Sequence, residues 1–204
     1  MVATELQKDA IRELMNISVG RAAGMLNTLI TKHLTLFVPE SKLIISSEIE
    51  PEISHLNHDT LSCVTMPFKN GLSGSAKMIF PWADAEKLVN LFSNENLVSD
   101  NFEEVRAAIL SEIGNIVLNS LMGTLSNLFN YSLKYQVPSY SEGWFNTIFE
   151  LDNIDDNSIV LIAKTQFLID DLKIFGDLLI FIELNSFELL IEKIEYFAQN
   201  YGSY

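Results

Sequence analysis

The sequence is poor in cysteine and has no long uncharged apolar run. Cys63 is the one cysteine among 204 residues, which excludes an internal disulfide and a CxxC metal motif. No apolar run approaches the roughly 18 residues that a membrane-spanning helix needs, and the charged N-terminus does not resemble a secretion signal. We therefore expect a soluble, cytoplasmic protein.

Basic residues are also scarce. Thirteen lysines and arginines stand against 27 aspartates and glutamates, which gives a formal net charge of -14. Because no basic stripe interrupts this negative charge, we expect the protein to bind neither nucleic acid nor an anionic membrane. A protein or a small molecule is the expected partner.

The chain contains an internal repeat. Residues 9–39 align without a gap on residues 108–138, displaced by 99 positions. The identical pairs include Glu13/Glu112, Asn16/Asn115, Ile17/Ile116, Leu26/Leu125, Leu29/Leu128, Leu34/Leu133, Val38/Val137 and Pro39/Pro138. The likeness resumes at Gly74 and Gly176. We predict one domain over residues 1–204, made of two repeats at about 5–98 and about 100–204.

Each repeat has the same predicted order of elements: a long helix, a strand ending in Val-Pro, an irregular loop, two strands and a shorter helix. The predicted strands are Leu34–Val38, Ser62–Phe68, Leu72–Phe80, Leu133–Val137, Ile159–Phe167 and Ile174–Leu184. The predicted short helices are Trp82–Phe92 and Ser186–Ala198, and the polar segment Ser93–Glu104 joins the copies, with Ser99 or Asp100 as a cap.

The long helices separate an apolar side from a polar side at 100° per residue. The first helix directs Ile11, Leu14, Met15, Ser18, Ala22, Met25, Leu26 and Leu29 inward, and Asp9, Glu13, Asn16, Gly20, Ala23 and Asn27 outward. The second directs Leu110, Ile113, Gly114, Val117, Leu121, Thr124, Leu125 and Leu128 inward, and Ala108, Glu112, Asn115, Asn119, Met122 and Ser126 outward. Each repeat thus presents an acid and an amide, one turn apart, to solvent.

A single Glu-x-x-Asn on an exposed helix face usually has no role beyond solubility. Here the pair stands at matched positions in two copies that have otherwise diverged widely. Asparagine is a mediocre helix former, so its presence in the middle of both helices is not explained by helix propensity. The repetition favours a function for both pairs.

Two helices carrying Asp/Ser-x-x-x-Glu-x-x-Asn, each followed by a strand ending in Val-Pro, resemble the CheC-type chemotaxis phosphatases. These are relatives of CheX and of the phosphatase part of FliY. The first copy contributes Asp9, Glu13 and Asn16, and the second contributes Glu112 and Asn115. The resemblance implies an α+β fold with an internal pseudo-two-fold repeat, in which two long antiparallel-packed helices and shorter helices lie over a shared, mainly antiparallel sheet.

The resemblance also implies hydrolysis of the aspartyl-phosphate on a CheY-like response regulator. Asn16 and Asn115 would orient the attacking water, while Glu13 and Glu112 would pair with a lysine of the regulator; these four are the predicted catalytic residues. A carboxamide suits this task because it can accept a proton from water and stays neutral beside a phosphoryl group. We expect no cofactor of its own, with Mg²⁺ held by the response regulator.

The sequence departs from the family pattern at three places. Ala108 stands where the family has Asp or Ser, and Met15 replaces the usual glycine, although it should point inward and repack. The acidic segment Glu150–Ser158 enlarges the second copy. Whether one copy or both are active stays open at this stage.

Some alternatives remain. The fold could serve as a noncatalytic binding or adaptor module in a chemotaxis or two-component pathway, and a CheD-like deamidase is a further candidate partner. His55 and His58 have HxxH spacing but no visible further ligands, so we expect a solvated surface rather than a metal site. His33, near a helix end, is interpreted as structural, and Gly20 either allows a partner to approach or merely tolerates packing.

Overall fold

The protein was analysed as a computed structural model, which describes residues 4–30, 32–57, 60–93, 102–129, 133–150 and 158–201. These residues form six α-helices and seven strands. The helices are α1 Glu5–Leu26, α2 Ile49–Glu52, α3 Trp82–Phe92, α4 Phe102–Phe129, α5 Phe145–Glu150 and α6 Phe187–Tyr201. The strands are β1 Leu34–Ile45, β2 Thr60–Lys69, β3 Gly74–Pro81, β4 Lys134–Tyr135, β5 Ser139–Trp144, β6 Ile159–Ile169 and β7 Leu172–Ile182.

All seven strands belong to one antiparallel sheet. Its order is β1-β6-β7-β3-β2, and both β4 and β5 pair with β2. The first strand of each copy therefore pairs with a strand of the other copy, β1 with β6 and β5 with β2. The centre of the sheet lies between β3 and β7, where the copies meet, and the predicted α+β fold with internal pseudo-symmetry is confirmed.

The sheet is covered on both faces. The larger core lies between one face and helices α1, α3, α4 and α6. A smaller core lies on the opposite face, where residues 49–57 and helix α5 pack over Leu61, Ile79, Val160 and Leu179. The nearly continuous apolar stretches in β6 and β7 follow from this, because a strand covered on both faces alternates little.

Helix α1 has a strong N-terminal signal. Thr4 and Gln7 form a reciprocal capping box, and residues Ile11, Leu14 and Met15 bury the expected apolar side. Its last residue is Leu26, with Asn27 as the C-terminal cap, so Leu29 lies beyond the helix. The prediction that Leu29 points inward is wrong for that reason, and its side chain is half exposed.

Helix α4 is the one described helix that is long and apolar enough to cross a membrane by length and composition, over Glu103–Leu128. Its apolar residues pack in the larger core, with Leu110, Val117 and Leu121 buried. A helix buried in the core of a globular protein has the same composition, and packing against the sheet and α1 accounts for the apolar character of α4.

Helices α1 and α4 cross in antiparallel directions. The Arg21 Nη1 atom lies 3.3 Å from Thr124 Oγ1, and Ser120 Oγ lies 3.9 Å from the Met25 sulfur. Between these contacts lie Ala23 and Met122, which occupy equivalent positions in the two copies and are both buried. The prediction that they face solvent is wrong because each helix covers the other there, and Met25, predicted inward, is half exposed beside the crossing.

The Val-Pro segments end no strand in the manner predicted. Strand β1 continues to Ile45 through a bulge, since Phe37 pairs with Gln166 and Glu40 with Lys164. In the second copy the equivalent strand is interrupted at residues 136–138, so the predicted Leu133–Val137 strand is reduced to β4. The predicted caps Ser99 and Asp100, and most of the acidic segment, lie outside the described residues.

The two long helices approach the sheet differently. An added Cβ at Gly114 would stand 2.6 Å from Val64 Cβ, so α4 lies almost in contact with the backbone side of β2. The equivalent residue of α1 is Met15, which is fully buried, as its inward orientation predicted. A methionine side chain therefore fills the space in α1 that Gly114 leaves open in α4.

Gly114→Ala should lower the free energy of unfolding by about 1–3 kcal/mol, because the new methyl overlaps the Val64 side chain close to its backbone attachment. Gly123→Ala in the same helix is the matched control. Nothing lies within 4 Å of its added Cβ, so this change should stabilise by about 0.5–1 kcal/mol. Urea denaturation measures both, and equal effects would contradict the close helix–strand contact.

Candidate functional site

The first copy places its predicted acid and amide on the solvent side of α1. Glu13 is exposed and Asn16 is half-buried. Arg12 and Asp9 form an exposed ion pair of 2.9 Å beside them. Gly20 is exposed one turn further on, and an added Cβ there would meet nothing within 4 Å, so packing within the chain does not require this glycine.

The amide of Asn16 is engaged with strand β1. Its oxygen accepts a hydrogen bond from the Val38 N–H at 2.9 Å, and its nitrogen donates to the Val38 carbonyl at 3.2 Å. The same nitrogen also donates to the Arg12 carbonyl at 2.9 Å. Both amide hydrogens are therefore used, and Asn16 pairs with the bulged strand much as a neighbouring strand would.

Asn27 holds the start of the same strand. Its nitrogen donates to the Leu34 carbonyl and its oxygen accepts from the Leu34 N–H, both at 2.7 Å. Two asparagines of the first copy thus tie the backbone of β1 to the end and the middle of α1. The strand lies under the helix with Leu34, Leu36 and Val38 buried.

The second copy leaves its amide free of the strand. Glu112 is exposed and Asn115 is half-buried on α4. Within the part of the chain that the structure describes, the Asn115 side chain bonds only with Asn119, whose amide nitrogen donates to the Asn115 oxygen at 2.6 Å. The Asn115 nitrogen and one lone pair of its oxygen remain available.

The valines that occupy equivalent positions in the two copies, Val38 and Val137, also differ in solvent exposure. Val38 is 2% exposed beneath α1, whereas Val137 is 89% exposed. Gln136 N–H donates to the Pro67 carbonyl at 3.0 Å, which keeps this segment on the β2 side. The contact of Gly114 with Val64 places α4 over β2, while β5 lies one strand further out at the sheet edge.

The two amides cannot act on one phosphate. The helices cross at Ala23 and Met122, and Asn16 and Asn115 each stand seven residues before that point on antiparallel helices. At 1.5 Å per residue their Cα atoms are about 20 Å apart along the helix direction. Each candidate site is therefore a separate surface that would bind a separate partner molecule.

A buried polar cluster lies between α4 and β5, and sequence reasoning missed it. Arg106 is only 1% exposed, pairs with Glu142, and lies 3.4 Å from both Ser62 Oγ and Tyr140 Oη. Its guanidinium carbon stands 3.6 Å from the centre of the Trp82 ring. A single arginine near a helix start resembles a solvated residue in sequence, and only the fold brings its four partners together.

Protonation in this cluster follows from burial and pairing. Burial disfavours the charged form of Arg106, but its hydrogen bonds to Tyr140 and Glu142 outweigh this and raise its pKa. Burial raises the pKa of Tyr140, against the lowering effect of its bonds to Ser62 and Arg106. At neutral pH the cluster thus holds a charged guanidinium and a neutral phenol.

The other candidates stay away from the two amides. His55 is exposed as expected, but its Nε2 lies 2.6 Å from the buried carboxylate of Asp177 on the opposite face of the sheet. His58, the other half of the HxxH pair, lies outside the described residues. His33 is exposed after α1. None of these placements points to a metal centre.

Comparisons with known proteins agree with this fold and these motifs. Residues 6–43, which contain Glu13 and Asn16, match the model of the CheC-like family. Over 165 residues the chain is 26% identical to the CheY-P phosphatase CheC of Bacillus subtilis, a stretch covering 77% of this chain and 78% of that protein. The predicted resemblance to the CheC-type proteins is confirmed.

Solved structures extend the likeness over most of this chain. The crystal structure of Thermotoga maritima FliY superposes with a TM-score of 0.74 at 18% identity, covering 98% of both chains. A CheX–CheY–BeF3–Mg complex from Borrelia burgdorferi gives a TM-score of 0.53 at 16% identity, over 84% of this chain and 99% of the other. At these identities the superpositions show a shared fold.

Asn16→Ala should lower the free energy of unfolding by about 1–3 kcal/mol, since it leaves the buried N–H and C=O of Val38 without partners. Asn115→Ala is the matched substitution and should change stability by about 0.5 kcal/mol or less, because the residue is not tied to a strand. Chemical denaturation of both variants measures these changes in the free energy of unfolding. Equal losses would contradict the unequal engagement of the two amides.

Proposed function

We propose that the protein is a phosphatase that hydrolyses the aspartyl-phosphate of a CheY-like response regulator, with the second copy as its main site. The observation that carries this proposal is the state of the two amides. Asn115 faces solvent with hydrogen-bonding capacity to spare, whereas Asn16 has both of its hydrogens committed to backbone carbonyls.

Similar proteins support the reaction class. The relative CheC is named a CheY-P phosphatase, and CheX was crystallised with CheY carrying BeF3 and Mg. The four predicted catalytic residues lie on the outer side of the two long helices, where another protein can reach them. The role of each residue in the reaction is our proposal.

The proposed chemistry is hydrolysis by positioning. The Asn115 amide oxygen accepts a hydrogen bond from a water molecule. This bond orients the water so that the water oxygen faces phosphorus, in line with the acyl-phosphate bond of the partner's aspartate. A bond forms from the water oxygen to phosphorus, the bond from phosphorus to the aspartate oxygen breaks, and the proton of the water ends on inorganic phosphate. A neutral amide can do this without repelling the phosphoryl oxygens.

Glu112 docks the partner in this scheme. It lies one helical turn before Asn115, is exposed, and forms no ion pair with any described residue. A carboxylate of this kind can pair with a cation of the regulator, and an ion pair at an interface fixes orientation as well as affinity. Because the chain is strongly acidic, such a cation is the natural complement to this surface.

The proposal asks for no cofactor on this chain. The charge of the transferring phosphoryl group would be balanced by Mg²⁺ on the response regulator, which stabilises the transition state there. The first copy would then act mainly through Glu13, as a weaker docking surface, because its amide holds β1. A regulator bound there would receive little help with hydrolysis.

Asn115→Ala should lower the dephosphorylation rate by about 100-fold or more, because the water is no longer positioned. The measurement uses a response regulator charged with acetyl phosphate in the presence of Mg²⁺. Asn16→Ala is the control and should keep most of the activity when assayed well below its melting temperature. If Asn16→Ala abolished activity and Asn115→Ala did not, the assignment of the main site would be wrong; an inactive wild type would refute the function.

Glu112→Gln should raise KM for the charged regulator about fivefold to tenfold with little change in kcat, since it removes a docking charge and leaves the amide in place. Glu104→Gln is the matched control, an exposed acid of the same helix two turns away, and should change neither parameter. Steady-state kinetics at low ionic strength gives the sharpest contrast. A pure kcat effect for Glu112→Gln would contradict its docking role.

A further inference from the structure

Strand β5 buries little apolar surface. It lies at the edge of the sheet and pairs on one side only, with β2. None of its six residues is fully buried, and only Tyr140 among them packs against the larger core. The matching half of β1, residues 40–45, has no buried residue either, but it continues a first half that buries Leu34, Leu36 and Val38 and is tied by two asparagines. Something other than apolar burial must fix β5.

Arg106 connects β5 to α4. Its guanidinium pairs with Glu142 and bonds with Tyr140, both of which belong to β5. The Tyr140 hydroxyl in turn donates to Glu142 at 2.9 Å and lies 3.2 Å from the Ser62 hydroxyl of β2. The Trp82 ring of α3 has its centre 3.6 Å from the guanidinium carbon, so the cluster joins α3, α4, β2 and β5.

Stability alone does not account for this arginine. A buried ion pair is often no more stabilising than apolar residues of the same volume, because both charges lose their hydration. Two buried atoms of the guanidinium, Nε and Nη1, have no hydrogen-bond partner among the described residues, which adds to that loss. The equivalent residue of the first copy is Gln7, which forms the helix cap and bonds with Glu195 instead.

We propose that Arg106 is a positioning residue for the Asn115 site: it fixes β5 against α4, so that Asn115 does not have to hold the strand. The first copy uses Asn16 for that task and thereby commits its amide to Val38. In the second copy the Arg106 guanidinium, which lies more than two turns before Asn115 on α4, fixes the strand. This inference rests on the proposed function, since it concerns the residue that would orient the water.

Two variants test the proposal against one matched control. Glu142→Gln removes the charge that pairs with Arg106 on β5, and Arg106→Met removes the guanidinium while keeping most of the volume against Trp82. Glu103→Gln is the control, because this exposed acid lies 4.0 Å from Arg106 but belongs to α4 itself. Circular dichroism establishes which variants fold, and each of the two can test the proposal alone.

The first measurement is independent of activity. The side-chain NH2 signals of Asn115 in a ¹⁵N–¹H spectrum, assigned by their loss in Asn115→Ala, should shift in Glu142→Gln and in Arg106→Met. They should stay in place in Glu103→Gln, and the signals of Asn16 should stay in place in all three. Unchanged Asn115 signals in a folded variant, or equal shifts of both asparagines, would overturn the proposal.

The second measurement is dephosphorylation of the charged regulator. Glu142→Gln should lower kcat about tenfold or more with KM changed less than twofold, because the docking acid Glu112 is untouched. Glu103→Gln should leave both within twofold. An unchanged kcat in folded Glu142→Gln would overturn the positioning role. An inactive wild type would refute the proposed function, and the side-chain signals would then decide the structural part by themselves.

Discussion

The pairing of one side-chain amide with one strand residue governs the difference between the two halves of this protein. The Asn16 side chain bonds both the N–H and the C=O of Val38, at the bulge where β1 departs from regular pairing with β6. A bulge leaves backbone groups without ladder partners, and buried groups of this kind require a partner. The Asn16 side chain is that hydrogen-bond partner, so its amide is not available to orient a water molecule.

The second copy solves the same problem in another way. Gly114 lets α4 approach Val64 of β2 closely. The segment equivalent to the bulge, residues 136–138, interrupts the strand and leaves Val137 exposed. Arg106 holds the remaining edge strand through Glu142. Duplication therefore gives two similar helices over one sheet, with a structural asparagine in one and an available asparagine in the other.

Much of the fold follows from the sequence pattern. The repeat at a fixed displacement and the helical periodicity predicted both long helices, the core strands of each copy and the outward orientation of Glu13 and Glu112. Local periodicity describes an isolated helix, however, and it placed Ala23 and Met122 in solvent although they meet at the helix crossing. Contacts between copies depend on how the helices lie, which no local pattern contains.

The sequence pattern indicated the candidate residues of both copies. It did not indicate that the amides of Asn16 and Asn115 differ in their hydrogen bonds. The motif gives Asn16 and Asn115 equal standing, and the more complete signature even belongs to the first copy, with Asp9 in place. What separates them is the bonding of each amide, because Asn16 pairs with Val38 of the following strand and Asn115 bonds with Asn119 of its own helix. The partners of Arg106 come from three other elements, β2, α3 and β5, so sequence spacing offered no signal for it.

A crystal structure of this protein bound to a response regulator that carries beryllofluoride and Mg²⁺ would show which of the two amides faces the phosphoryl position. We expect the amide of Asn115 to lie within hydrogen-bonding reach of the beryllofluoride, while Asn16 keeps both bonds to Val38. A complex in which Asn16 has left Val38 and faces the beryllofluoride, with Asn115 away from any regulator, would contradict it.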